Sequence, residues 1–159
     1  MWAVRGAIAV VLSFLPLAAA SDAPRRPWAA RWVSRALDGA GHRLRQPECR
    51  RVLQEFADRD GRRLDDVLAA EGVAAHEYLR RLHFFEGPAA LCHGQRMAVT
   101  SPGSRVIYVC SARFQSVALA NAAYVEAAVI HEALHSLGLG EDPPTSAFIT
   151  ARVLARCVR

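Results

Sequence analysis

The chain has 159 residues, with 20 basic and 15 acidic side chains and a formal net charge of +5. Every basic residue is arginine, and these are spread out, mostly as pairs such as Arg25-Arg26, Arg50-Arg51, Arg62-Arg63 and Arg80-Arg81. With no basic tract interleaved with aromatics, the composition argues against nucleic acid as a partner.

Met1 to Arg5 carries one positive charge, and the apolar run from Gly6 to Ala20 closes on Ala18-Ala19-Ala20. That order is expected of a secretory signal peptide over residues 1–20, cut after Ala20. The run is shorter than the roughly 20 apolar residues that span a bilayer and contains Pro16, so no stable membrane insertion is expected after cleavage. Removing it leaves 159 − 20 = 139 residues, one ordinary domain, with a charge of 19 − 15 = +4 once Arg5 is gone. Secreted or periplasmic localisation follows. Cys49, Cys92, Cys110 and Cys157 all lie in the exported part, where an oxidising compartment pairs them into two disulfides.

Residues 21–47 are rich in Arg, Ala, Pro and Gly without a sustained period, and read as an amino-terminal arm or linker that docks through Trp28 and Trp32. A single domain over 48–159 follows. Val52, Leu53 and Phe56 recur at helical spacing between Glu48 and Arg59, before Asp60-Gly61 breaks the pattern. Leu64, Val67 and Leu68 predict a short helix ending near Gly72; Tyr78, Leu79 and Leu82 predict another from about Ala74 to Phe85. Beyond Gly87-Pro88 the pattern changes. Residues 96–100 and 105–110 are β-rich runs around the turn Ser101-Pro102-Gly103-Ser104, which predicts a hairpin. Its closure would bring Cys92 and Cys110 to one end, favouring the pairing Cys92–Cys110 with Cys49–Cys157. From Gln115 to Leu137 the chain is Ala-rich and free of Gly and Pro, so one long helix is expected. Gly138 and Gly140 end it, and Ala147 to Cys157, capped by Thr145 or Ser146, forms the last helix. The expected class is α+β: mainly helical, disulfide-braced, with a small hairpin packed on the long helix.

The long helix carries His131-Glu132-Ala133-Leu134-His135. Residues four apart on a helix are neighbours, so both imidazoles can reach one Zn²⁺, and Glu132, one residue round, is placed to take a proton from water there. Ile130, Leu134 and Leu137 form the buried stripe beside it. Hydrolytic zinc sites take three protein ligands and leave a fourth position to water. Downstream of His135 the only acids are Glu141 and Asp142. Glu141 is six residues on, beyond a glycine that lets the chain turn back; Asp142 and the upstream His93 are the alternatives. His42, His76 and His83 have no partner spacing. Tyr108 and Tyr124 are read as packed aromatics, with oxyanion stabilisation as the functional alternative.

The segment His131-Glu132-Ala133-Leu134-His135-Ser136-Leu137-Gly138-Leu139-Gly140-Glu141 resembles the zincin metallopeptidases, and its glycine turn is similar to that of the metzincin branch. It also resembles small secreted bacterial proteins with HExxH before a Leu-Gly-Leu-Gly turn and two prolines. The resemblance implies zinc ligands at His131, His135 and Glu141, with Glu132 as the general base. Glu141 stands where metzincins have histidine, and no methionine follows the motif. The expected function is a secreted zinc-dependent hydrolase, a small metallopeptidase acting on a peptide or protein substrate. The rival is a disulfide-stabilised helical binding module with a structural zinc or none. The strand over residues 105–110 is read as an edge on which an extended peptide could add.

Overall fold

Apolar spacing along the HExxH segment dictates how the molecule is organised around it. The computed structural model describes residues 27–158; the expected signal peptide lies outside them. Ile130 and Leu134 are 1% exposed and Leu137 6%, so one stripe of the helix Ala122–Ser136 (α7) faces the core. Burying each such side chain stabilises by about 1.5–3 kcal/mol relative to exposure. That anchoring leaves the adjacent stripe, with Tyr124, His131 and Glu132, to line a cleft.

Around α7 pack α1 (Pro27–Arg45), α6 (Ser111–Ala120) and α8 (Ser146–Cys157). Between α1 and the sheet lie the short helices α2 (Pro47–Arg50), α3 (Val52–Glu55), α4 (Leu64–Ala70) and α5 (Ala75–Tyr78), the last continued by a 3-10 turn over Leu79–Arg81. Strands β1 (His83–Glu86), β2 (Ala98–Thr100) and β3 (Val106–Val109) form one sheet in the order β1-β3-β2. The molecule is thus α+β and mainly helical, as expected. No helix among the described residues is long and apolar enough to cross a membrane.

The predicted hairpin is present: β2 and β3 are antiparallel, with Val99 opposite Tyr108. So are both disulfides, Cys92–Cys110 and Cys49–Cys157. The last helix begins one residue earlier than read, and the Thr145 side chain accepts from the Phe148 N–H.

Five readings are corrected. The stretch taken for an arm is, from Pro27 on, a 19-residue helix whose Val33, Ala36, Ala40 and Leu44 join the core. Its buried positions follow helical spacing, with alanine at two of the four, and the helix can sit close to α7 because position 39 is glycine: a Cβ there would lie 2.4 Å from the Glu126 carboxyl carbon. Trp32 is half-buried against that core, while the Trp28 side chain falls outside the described residues. Second, the helix read through Phe85 stops at Arg81, and His83–Glu86 pairs parallel to β3, with Phe85 beside Tyr108. Third, β3 is therefore the middle strand, not an edge; β1 and β2 hold the edges. Fourth, the long helix is two. Asn121 leaves helical dihedrals (φ −153°, ψ 88°) and its side-chain oxygen accepts from the Tyr124 N–H at 3.1 Å, the local competition with the helix that asparagine offers. The first short helical segment also ends sooner than read, at Glu55, where Phe56 turns extended.

Helix α8 is held at its far end. Cys157 is bonded to Cys49, Arg156 pairs with Glu48 and Glu55, and Arg152 with Glu55. These contacts fix the face of α8 that meets α7.

Candidate metal centre

Helical spacing places the His131 and His135 rings side by side, their centroids 4.7 Å apart and their Nε2 atoms 2.9 Å apart. The chain then reverses. Gly138 adopts φ +110°, a conformation that side-chain-bearing residues rarely take, and its position lies so close to Asp58 that a Cβ would approach 2.9 Å. Two consequences follow for the histidines. The Leu139 carbonyl comes 2.8 Å from His135 Nδ1, and Glu141 Oε1 comes 3.2 Å from His135 Nε2 and 3.6 Å from His131 Nε2.

A carbonyl can only accept, so His135 carries its hydrogen on Nδ1 and presents a lone pair at Nε2. Thr150 Oγ1 of α8 lies 3.0 Å from His131 Nδ1 and can accept in the same way. Acceptor atoms of His131, His135 and Glu141 therefore converge, all within 4.8 Å of one another, and form a group that could hold a metal ion. A proton on one ring bridges two of these atoms; a cation satisfies all three. Both histidines are buried, while the Glu141 side chain is about half exposed (49%).

Of the alternatives for the third position, neither Asp142 nor His93 belongs to the converging group. His93 Nε2 instead lies 2.9 Å from Arg96 Nη1. His42, His76 and His83 also stand outside the group. Tyr124 lines the cleft, whereas Tyr108 is exposed on the outer sheet face, opposite buried Ile107 and Val109.

Glu132 faces the same cleft, of about 270 Å³, which runs between the segment Gln95–Ala98, α7, and Ser146 and Thr150 of α8. Its carboxyl is buried, and Oε2 has no hydrogen-bond partner among the described residues. Burial, with the Glu141 charge behind it, pushes its pKa up to about 8, against a weaker opposing pull from the Thr100 backbone. Burial also lowers His131 to about 4, helped by His135 and opposed by Glu141.

These shifts set a pH dependence for the metal-free protein. Folded Glu132 keeps its proton to about pH 8, while in the unfolded chain it is lost near 4.5. Its contribution to stability is complete below pH 4.5 and falls as pH rises towards 8. His131 works in the opposite direction: its contribution grows as pH rises from about 4 to 6.5 and is complete above that. Between pH 6.5 and 8 Glu132 therefore acts alone of the two. Urea denaturation in EDTA should show wild type losing stability over that window relative to Glu132→Gln, by up to about 1.4 kcal/mol per pH unit. Parallel curves for the two proteins would contradict the burial argument.

Sequence reading did not find Thr150 or the Leu139 carbonyl. Thr150 lies beside the apolar stripe of Ile149 and Val153, and that position is its only sequence signal. Thr150→Val should weaken binding of a divalent cation by about 10-fold or more, as loss of a ligand-orienting hydrogen bond does; Thr150→Ser should restore it. Competition with a chromophoric chelator measures both, and unchanged affinity in the valine variant would show that Thr150 does not orient the ring. Comparison with known protein families, curated proteins and solved structures finds no match to this chain.

Proposed function

We propose that the protein is a secreted zinc-dependent hydrolase, a small metallopeptidase. One observation carries the reading: three side chains able to hold a metal ion converge, and one of them, His131, borders the same open cleft as the buried carboxyl group of Glu132. Tetrahedral zinc with ligand bonds of about 2.0–2.1 Å needs donor atoms roughly 3.3–3.4 Å apart. The spacings here, 2.9, 3.2 and 3.6 Å, bracket that value. Two imidazoles and one carboxylate also suit zinc better than the hard cations that prefer all-oxygen cages.

Structural zinc sites are closed by four protein ligands. Among the described residues the group supplies three, and its His131 borders the cleft, which favours the hydrolase over the binding-module alternative. Bound zinc would supply Lewis acidity, polarising a scissile carbonyl and making water acidic enough to ionise near neutral pH. Glu132 accepts the proton of the attacking water and passes it to the leaving amine. For that it must begin as the carboxylate, and a dication beside it favours the ionised form. Thr150 and the Leu139 carbonyl hold the imidazoles with Nε2 turned inward. Two disulfides fit an oxidising compartment, in keeping with export.

Elemental analysis of the purified exported chain tests the reading, with one equivalent of zinc expected and peptide cleavage lost on chelation. Glu141→Ala should lower zinc affinity at least about 10-fold, while Asp142→Ala and His93→Ala leave it near wild type. A zinc-free protein that cleaves peptides, or a Glu141→Ala chain with unaltered affinity, would refute the mechanism or the ligand assignment respectively.

A further inference from the structure

Arg96 stands on the wall of the cleft that His131 and Glu132 line. A guanidinium has donors only, so His93 Nε2, 2.9 Å away, is an acceptor. That contact orients the arginine without neutralising it. Several other arginines are neutralised by acids, as Arg43 is by Glu126, Arg62 by Asp58, Arg105 by Glu71 and Arg156 by Glu55. For Arg96 no carboxylate partner is found among the described residues. Among the described residues Glu132 is the sole acid lining the cleft, and it lies at the metal end.

The position of Arg96 along the cleft follows from how β2 runs beside α7. The Thr100 backbone meets Glu132, and the Gly103 N–H donates to the His135 carbonyl at 2.9 Å. Arg96 is four residues before Thr100. Because β2 begins only at Ala98, the extended rise of about 3.3 Å per residue puts the Arg96 backbone at most about 13 Å from the Glu132 level. Tyr124, which also lines the cleft, is eight residues before Glu132, about 12 Å along the helix. Arg96 and Tyr124 thus mark the end of the cleft away from the metal centre.

We propose that Arg96 makes this cleft selective for peptides carrying a carboxylate roughly two to four residues from the bond to be cleaved. The carboxylate belongs to an Asp or Glu side chain or to the free C terminus, and the planar guanidinium takes it through paired N–H donors. The inference deepens the peptidase reading and rests on it for the word substrate, but the recognition itself is a binding event that can be read without turnover.

The test is calorimetric titration of the full exported chain bearing Glu132→Gln, with and without zinc. The probes are peptides of one sequence carrying either Asp or Asn two to four residues from the centre and either a free or an amidated C terminus. The Asp peptide, or the free-acid peptide, should bind up to about fivefold tighter than the Asn amide, the gain of one ion pair at an exposed site. Whichever change brings the gain identifies the source of the carboxylate. Arg96→Ala should bring the ratio close to one, and Arg96→Glu should favour a Lys peptide instead. Should a variant not fold, collapse of the ratio at high salt reads the same contact in the parent chain. Equal affinities, absence of peptide binding, or a preference that survives Arg96→Ala overturns the proposal. A carboxylate preference in a protein that cleaves nothing upholds it and removes the peptidase reading; cleavage indifferent to charge does the reverse.

Discussion

Glu132→Gln should abolish peptide cleavage, lowering kcat by about 10² to 10⁴-fold, while zinc content stays near one equivalent. The amide has nearly the shape of the carboxyl and fills the same buried place in α7, but it cannot accept the proton of attacking water. Because Glu132 is not one of the converging ligands, the metal centre is untouched. Metal analysis and turnover on the same preparation separate the two roles. An active Glu132→Gln protein would eliminate Glu132 as the base; an inactive one that has also lost zinc would make it a ligand.

Breaking Cys49–Cys157 by the double serine substitution should destabilise the protein by about 5 kcal/mol in the chain-entropy account, against about 3 kcal/mol for Cys92–Cys110. The difference comes from the loops closed, 108 residues against 18. For a domain of this size the larger figure is a sizeable share of total stability. A functional effect should accompany it. The Cys49–Cys157 bridge and the arginine pairs of Glu48 and Glu55 hold α8, and α8 brings Thr150 to His131. Zinc affinity should therefore fall with this bridge and not with the other. Equal losses in denaturation and in chelator competition for the two double variants would separate α8 anchoring from the metal centre.

Local chemistry was legible where it acts within a few residues. The HExxH spacing, the glycine turn after it, the β2–β3 hairpin and the Thr145 cap are each written in contiguous positions. So is the candidacy of Glu141, although choosing it over Asp142 and His93 took the fold, because a turn of several residues can aim either acid and only packing decides how near His93 comes. Readings went astray where the deciding partner is remote. The α1 stripe is half alanine, and what buries it is packing against α5 and α7, remote in the chain. The Phe84-Phe85 pair looked like the end of a helix because its parallel neighbour β3 lies more than twenty residues on. Asn121 was passed over because an Ala-rich run without Gly or Pro favours helix, while a side-chain cap costs the run only one residue.

By itself, then, the amino-acid order determined that two imidazoles stand one turn apart with a carboxyl next to them, since 3.6 residues per turn fixes those relations at any place on any helix. It also determined where cysteines and turns fall. Tertiary packing alone decided that Glu141 closes on the two imidazoles, that Thr150 and the Leu139 carbonyl fix their orientation, that Glu132 is dry enough to hold its proton in the metal-free state, and that Arg96 shares their cleft. Those four outcomes depend on distances between segments far apart in the chain, and only burial of a common core sets such distances.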